Sequence, residues 1–244
     1  MKRLVLYAMV LAMLLGGTAA WADFYVIAGG GAPGTRIPSV PYTISSPGFY
    51  FLGGNLTMTG NGVAIIINAD DVTLDLMGFC LIGPGAGNFN GIYMNGRTNV
   101  EIRHGTVRGF STGIEAFSDT SSNHRVINIK AMYNKGWGIL LRGDNHLVQD
   151  CNSSNNMTGI SVYSGIVKGC MAYNNSQTGI GLEISGSLIG NFALNNTVHN
   201  FILGTGKILV DQNSASNNYV STEFKNYFLI GGGVVTWGVN AGYP

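Results

Sequence analysis

The sequence is poor in charged residues. Only 10% of its 244 residues are Asp, Glu, Lys or Arg, against about 25% in typical soluble domains, and the formal net charge is +1. A nucleic-acid-binding surface needs a clustered excess of Lys and Arg, so we expect no nucleic-acid partner. Hydrophobic residues make up 45% of the chain, which is enough for a sizeable core and argues against disorder.

Long apolar runs are also lacking after the first residues. The run from Leu4 to Leu15 follows Lys2 and Arg3 and precedes the small-residue pattern Ala20-Trp21-Ala22. This order is typical of a secretory signal peptide, and the run is too short to span a membrane. We therefore expect residues 1–22 to be removed, the protein to be secreted or periplasmic, and the mature chain to have no transmembrane segment.

Glycine and asparagine are abundant instead, and they repeat. Gly-Ile recurs every 20 to 25 residues, and each unit also has a β-type apolar run that is followed eight residues later by Asn in most units. A period in this range indicates a solenoid. The Gly-Ile pairs begin at 91, 113, 138, 159 and 179, with Asn200-Phe201 next; the runs begin at Val100, Val126, Val148, Val167, Leu188 and Leu209; the asparagines are Asn134, Asn156, Asn175, Asn196 and Asn217.

These units predict strands. Their apolar residues form short runs rich in Val and Ile, and about 20 residues are too few for a strand-helix-strand crossover. We predict an all-β, single-domain, right-handed parallel β-helix of about eight coils over residues 45–220, with caps at 23–44 and 221–244. The asparagines are expected to stack as a ladder at one turn. We expect a monomer.

The stretches SSPGFYFLGGNLT, ADDVTLDLMGF and VEIRHGTVRGF, with the Gly-Ile and Asn-Asn coils, resemble bacterial secreted right-handed β-helix repeat proteins. These belong to the pectin-lyase-like superfamily, in a group of carbohydrate-binding proteins and sugar hydrolases. The resemblance implies the β-helix fold. Members include lyases, hydrolases, epimerases, adhesins and periplasmic accessory proteins, so the fold does not determine the function.

Catalytic candidates come from residues 97–150, which hold 12 of the 25 charged residues and three of the four histidines. The resemblance implies that a lyase would need a Lys, Arg or His base and either Ca²⁺ or an arginine, for which Arg103, His104 and Lys130 are candidates. The coil at 91–112 is shifted by one residue, so either Arg103 or His104 can face outward. A hydrolase needs two carboxylates, for which Glu115 and Asp144 are candidates.

Binding candidates lie in the same segment. Tyr133 and Trp137 can stack against sugar rings, with Arg142 as a charged contact. His124 and His146 occupy the same place in SSNHRV and GDNHLV, so they are expected to stack and to be able to share a metal. Two histidines without a third ligand are a weak metal signal, and a turn pair copied with the repeat is the simpler interpretation.

The three cysteines leave two alternatives open. Cys151 and Cys170 lie at equivalent places in VQDC and VKGC, in a column with Ile129, Asn191 and Gln212. Neighbouring coils put their Cα atoms about 4.8 Å apart, a distance that a disulfide allows. A bridge and two buried thiols are equally compatible with this position, and Cys80 is left over.

The sequence therefore favours an exported, non-catalytic scaffold or carbohydrate-binding surface protein without a cofactor, with a cell-envelope glycan or other polysaccharide as partner. One alternative is a small polysaccharide lyase or glycoside hydrolase that acts on an acidic glycan across residues 97–150; only the lyase would need Ca²⁺. The other is a periplasmic metal-handling accessory protein. The chain has no long loops between coils from which a deep cleft is usually built, which argues for the first hypothesis.

Overall fold

The computed structural model describes residues 34–85, 87–216, 227–229 and 234–238. The expected signal peptide, residues 23–33 of the expected N-terminal cap, and Asn217 lie outside these ranges. Within them the protein is all-β, with twenty-three strands and no helix. Consequently this part of the chain has no helix long and apolar enough to cross a membrane.

The strands are β1 (Thr35–Ile37), β2 (Tyr42–Ile44), β3 (Gly48–Leu52), β4 (Leu56–Thr57), β5 (Ile65–Ile67), β6 (Val72–Asp75), β7 (Cys80–Ile82), β8 (Asn90–Tyr93), β9 (Glu101–Arg108), β10 (Thr112–Ala116), β11 (Arg125–Met132), β12 (Trp137–Leu141), β13 (His146–Gln149), β14 (Asn152–Ser154), β15 (Thr158–Lys168), β16 (Met171–Tyr173), β17 (Thr178–Ile189), β18 (Phe192–Leu194), β19 (His199–Leu203), β20 (Lys207–Asp211), β21 (Ser214–Ser216), β22 (Tyr227–Leu229) and β23 (Val234–Trp237).

Every strand pairs in parallel with an equivalent strand one turn away, so the strands stack in three columns. One column contains β8, β10, β12 and β15; the second contains β6, β9, β11 and β13; the third contains β7, β9, β11 and β14. Strands β9, β11, β15 and β17 are long enough to belong to two columns. The predicted right-handed parallel β-helix of about eight turns is confirmed.

The Gly-Ile repeat forms a continuous core row. Ile92, Ile114, Ile139, Ile160, Ile180 and Phe201 pair in succession from one turn to the next, and all six are fully buried. The glycine before each isoleucine allows close contact between turns. A Cβ atom on Gly138, for example, would lie 2.7 Å from the carbonyl oxygen of Gly159.

A second core row has a different register from the predicted one at its two ends. Ile102, Val126, Val148, Val167, Leu188 and Val210 pair in succession and are buried. Two predicted members of this row were therefore wrong: Ile102 takes the place of Val100, and Val210 takes the place of Leu209. Val100 is buried two residues before Ile102, whereas Leu209 faces outward.

Asparagines connect the turns through buried hydrogen bonds. The backbone N–H of Asn134 donates to Oδ1 of Asn156 (2.9 Å), Asn156 donates likewise to Asn175 (3.0 Å), and Asn175 to Asn196 (3.1 Å). Each of the first three side-chain amides also donates to the Oδ1 of its next neighbour. The side chain thus satisfies backbone groups that the turn would otherwise leave buried and unpaired.

Strand pairing begins and ends inside the segments assigned to the caps. Strands β1 and β2 pair with β3 and β5, so residues 35–44 contribute to the first turns. At the other end β22 pairs with β19, and β23 pairs with β20.

Candidate functional site

A shallow depression lies on the outer face of β9 and β11. Its volume is about 190 Å³, smaller than the roughly 300–1,000 Å³ of most small-molecule sites. The lining residues are Gly78, His104, Gly105, Thr106, Asn128 and Lys130. We call this depression, together with Arg103, the His104 surface. Two of the three lyase candidates, His104 and Lys130, thus line the depression, and Arg103 precedes His104 on β9 without lining it.

His104 has an uncommon backbone conformation. Its φ is 54°, in the left-handed region, and its side chain is 46% exposed. Residues other than glycine rarely adopt this region, and histidine is among those that do so more often than most. The equivalent residues on later turns, all with positive φ, are Asn128, Asp150, Gly169, Gly190 and Gln212.

The pairing of β9 with β11 gives the register of the coil at 91–112. Arg103 pairs with Ile127 and Gly105 with Ile129, so β9 is aligned with β11 over its whole length. The predicted one-residue shift was wrong. Arg103 and His104 both carry partly exposed side chains, because the left-handed turn of the backbone at His104 interrupts the usual alternation of a strand.

Asp75 fixes both of these side chains. Its Oδ2 accepts from Nε of Arg103 (2.8 Å) and lies 3.1 Å from Nδ1 of His104, while its Oδ1 accepts from the backbone N–H of Met77 (2.8 Å). The Asp75 side chain is almost fully buried beneath them. Sequence reasoning did not predict the contact of Asp75 with Arg103 and His104 on the next turn.

Arg103 is part of a wider charge network. Its guanidinium bonds Glu101 (2.8 Å), which also pairs with Arg125 (3.4 Å), and it lies 5.9 Å from the ring centre of Phe49. Burial lowers the pKa of Arg103, but the bonds and charges of Asp75 and Glu101 outweigh burial and raise it. Arg103 is therefore a fixed cation whose charge is paired with two carboxylates.

Three neighbouring cations have no acidic partner. Arg108, Lys130 and Lys135 are exposed, and none of them forms an ion pair with a residue of the described part of the chain. Arg108 and Lys130 lie on adjacent turns, since Arg108 pairs with Met132. These charges are available to an anionic ligand.

Two predicted aromatic contacts differ in exposure. Tyr133 is 61% exposed at the end of β11, whereas Trp137 is half-buried at the start of β12 and pairs with Thr158. Tyr133 is thus accessible to a sugar ring over most of its surface. Trp137 offers less.

Arg142 lies away from the His104 surface and is held by its own neighbours. Its guanidinium carbon is 4.5 Å from the ring centre of Phe117 and 4.8 Å from that of Tyr163, and Nη2 pairs with Asp119 (3.0 Å). The cation is enclosed by two rings and one carboxylate. These contacts account for its position without a ligand.

The two hydrolase candidates do not form a pair. Glu115 lies in β10 and accepts from Asn90 (2.7 Å), whereas Asp144 lies in the turn before β13 and bridges to Ser122. Burial raises the pKa of Glu115, although bonds from Thr112 and Asn90 oppose the shift. No bond joins the two carboxylates among the described residues, and they belong to different columns of the helix.

Sequence reasoning missed Glu183, a partly buried carboxylate on β17. Its Oε1 accepts from Ser161 (3.1 Å), and burial raises its pKa while that bond opposes the shift. The signal available was a single acid in an otherwise apolar and small-residue strand, TGIGLEISGSLI. Its partner Ser161 is on the preceding turn.

His124 and His146 stack as predicted, but both rings are buried. Nδ1 of His124 accepts from the backbone N–H of Val100 (3.3 Å), and Nδ1 of His146 accepts from that of His124 (3.2 Å). Nε2 of His146 donates to the carbonyl oxygen of Arg142 (2.8 Å). Three of the four ring nitrogens thus serve the backbone, and no group of three or more His, Cys, Asp or Glu suited to a metal occurs among the described residues.

Cys151 and Cys170 lie on adjacent turns as free, buried thiols. Each Sγ lies within 3.5 Å of two carbonyl oxygens, either of which can accept its single S–H, and Cys170 N–H donates to Oδ1 of Asn191 (2.9 Å). The predicted column is correct as far as Asn191 and wrong at Gln212. Its next member is Asn213, whose Oδ1 accepts from Asn191 N–H (2.9 Å).

No protein-family model matches this sequence, and no curated protein is similar to it in sequence. Solved structures are similar in fold. One is the A-module of the mannuronan C-5 epimerase AlgE4 of Azotobacter vinelandii, with a TM-score of 0.61 and 13% identity over 86% of this chain and 79% of that one. Another is the pectate lyase Pel9A, with a TM-score of 0.51 and 13% identity over 86% and 80%. The chain therefore has the fold of the pectin-lyase-like β-helix proteins.

Proposed function

We propose that this chain is an exported, monomeric β-helix protein that binds an acidic polysaccharide on the His104 surface and does not cleave it. One observation carries the proposal: an exposed histidine in a left-handed conformation is held by Asp75 beside Arg103 and Lys130, around a depression. The positive φ is common to this position on successive turns, so what distinguishes His104 is its exposed ring and its contact with Asp75.

The charges favour an anionic ligand. Lys130, Arg108 and Lys135 have no acidic partner in the described chain, whereas the charge of Arg103 is already paired with Asp75 and Glu101. Arginine and lysine bind carboxylates well at such sites. The two similar structures are enzymes named for mannuronan and pectate, and this likeness supports a polysaccharide as the ligand.

The shape favours binding without catalysis. The depression is small and open to one side of a sheet, so it does not exclude water from a reacting bond. Glu115 lies on β10 and Asp144 in the turn before β13, and no contact between them supports an acid and base pair for hydrolysis among the described residues.

The test is a binding assay with the chain lacking residues 1–22. Retention on a panel of acidic and neutral polysaccharides is measured by affinity electrophoresis, with Lys130→Ala as the test variant and Lys207→Ala, at an exposed lysine on a later turn, as the control. We expect retention by acidic polysaccharides only, weakened about five- to tenfold by Lys130→Ala and by salt. Lack of retention, or equal loss in both variants, would contradict the proposal.

A lyase is the second candidate, favoured by the contact between Asp75 and His104. A carboxylate that holds one nitrogen of an imidazole can orient the other as a general base. In this mechanism His104 removes the proton on the carbon next to the substrate carboxylate, and Arg103 and Lys130, or Ca²⁺ in their place, neutralise that carboxylate. The glycosidic C–O bond breaks as the C=C bond forms, and the leaving oxygen takes a proton from water. Ultraviolet-absorbing unsaturated products that disappear in His104→Ala would establish it, and their absence would leave binding alone.

A further inference from the structure

Tyr133 occupies a position that asparagine fills on the following turns. Its φ is 55°, and its backbone N–H donates to the carbonyl oxygen of Ser154. The equivalent residues make the same kind of bond to the next turn with nearly the same φ, and they are Asn155 (56°), Asn174 (54°) and Asn195 (54°).

Neither the backbone nor the core accounts for a tyrosine here. Asparagine tolerates the left-handed region because its short amide can bond the local backbone, which the phenol ring of Tyr133 cannot do. The ring is 61% exposed, so it gains little from burial. A bulky residue that is kept in an unfavourable conformation and points into solvent is best explained by a contact outside the folded chain.

Three unpaired cations lie close to Tyr133 along the chain or on the adjacent turn. Lys130 lies on β11 three residues before Tyr133, which follows the end of that strand, so their Cα atoms are at most about 10 Å apart. Lys135 follows two residues later, and Arg108 pairs with the adjacent Met132. Tyr133 therefore lies between the His104 surface and a further cation.

We propose that Tyr133 is a second subsite for the acidic polysaccharide, where a sugar ring stacks on the exposed phenol while Arg108 and Lys135 contact its carboxylates. This inference rests on the proposed function, and it adds the length of the ligand. A ligand that spans Lys130 and Tyr133 has more than one sugar ring, so the protein recognises a polymer in preference to a free uronic acid.

The test compares affinities for polyuronate oligosaccharides of graded length. Tyr133→Asn is the test variant because the next three turns carry Asn at this place. Phe192→Asn, at another exposed aromatic residue, is the control. We expect Tyr133→Asn to unfold at the same or higher urea concentration and to bind long oligosaccharides up to about tenfold more weakly, with the shortest ones unaffected.

The outcomes separate the two proposals. If the unsubstituted protein binds no polyuronate, the proposed function fails. If it binds, but Tyr133→Asn binds long oligosaccharides equally well, or Phe192→Asn weakens binding as much, the Tyr133 subsite is wrong and the His104 surface stands. Lower stability of Tyr133→Asn would also contradict the inference, because it would show that the ring serves folding.

Discussion

His124 stacks on His146, with ring centres 5.2 Å apart and planes inclined by 14°. Burial, assisted by the nearby His146, lowers the pKa of His124 to about 3 against the opposing charge of Asp70. Burial also lowers the pKa of His146, although its bond to Arg142 and the charge of Asp144 oppose the shift. Both rings are therefore neutral hydrogen-bond acceptors that connect three successive turns.

This stack predicts sensitivity to acid. Unfolded histidines bind protons near pH 6.5, whereas folded His124 stays neutral until about pH 3, so the unfolded state binds more protons in between. The free energy of unfolding should therefore decrease as the pH is lowered through this window, by up to about 1.4 kcal/mol per pH unit for each buried histidine. It is measured by urea unfolding at about pH 7.5 and about pH 4.5.

The matched variant is His124→Asn with His146→Asn, because an Asn Oδ1 can accept the same backbone N–H as in the asparagine column. We expect lower stability near neutral pH, since stacking is lost, and a flatter dependence on pH. Parallel pH profiles for the two proteins would mean that the stack does not cause the acid sensitivity.

The asparagine column predicts a large loss of stability from one substitution. Asn175 donates from its amide to Ser153 and Asn196, and its Oδ1 accepts from Asn156. Asn175→Ala leaves these buried groups unpaired and should cost about 2–4 kcal/mol in the free energy of unfolding. Equilibrium urea unfolding tests it, with the exposed Ser176→Ala expected to change stability by less than about 0.5 kcal/mol. Similar values for both variants would mean that the column is dispensable.

The thiols should differ in reactivity. Burial raises the pKa of Cys170 well above its usual value, and its neighbour Cys151 is equally enclosed, whereas Cys80 is half-buried. Iodoacetamide should label Cys80 first in the folded protein, and all three cysteines in urea without reductant. Mass spectrometry of the labelled peptides reads this directly. Failure of Cys151 and Cys170 to react in urea until reductant is added would show a disulfide in place of free thiols.

The repeats could be predicted because the residues that recur in the sequence stack on one another in the same strand column. Gly-Ile fits only where a strand packs closely against the next turn, so its spacing identified the turns. The strand starts were less secure. Val100 and Ile102 are both buried and two residues apart, which is the side-chain period of a strand, so either could be taken as the core position. In KILVD three successive residues, Ile208 to Val210, are apolar, so the sequence does not show which of them face the core.

The site was harder to predict because it depends on contacts between turns. His104 and Lys130 were identified by residue type, but Asp75 lies a whole turn earlier, inside an apolar strand. The sequence did contain a sign of the unusual backbone at Tyr133, which the prediction did not use. In the aligned turns the pair Tyr133-Asn134 stands where later turns have two asparagines.

The charge cluster under the His104 surface gives the last prediction. Asp75 uses both oxygens, for Met77, Arg103 and His104, and is buried beneath them. Asp75→Asn keeps the shape but removes the charge and one acceptor, so the free energy of unfolding should fall by about 1–3 kcal/mol.

A double-mutant cycle with Arg103→Gln isolates the contact between the two charges. Once Asp75 is Asn, replacing Arg103 removes little more, so we expect a coupling of about 1 kcal/mol in urea unfolding. Arg125→Gln, whose partner is Glu101 and which is more exposed, is the matched control and should add independently to Asp75→Asn. If Arg103→Gln and Asp75→Asn also add independently, the buried carboxylate does not fix Arg103, and the electrostatic basis of the His104 surface fails with it.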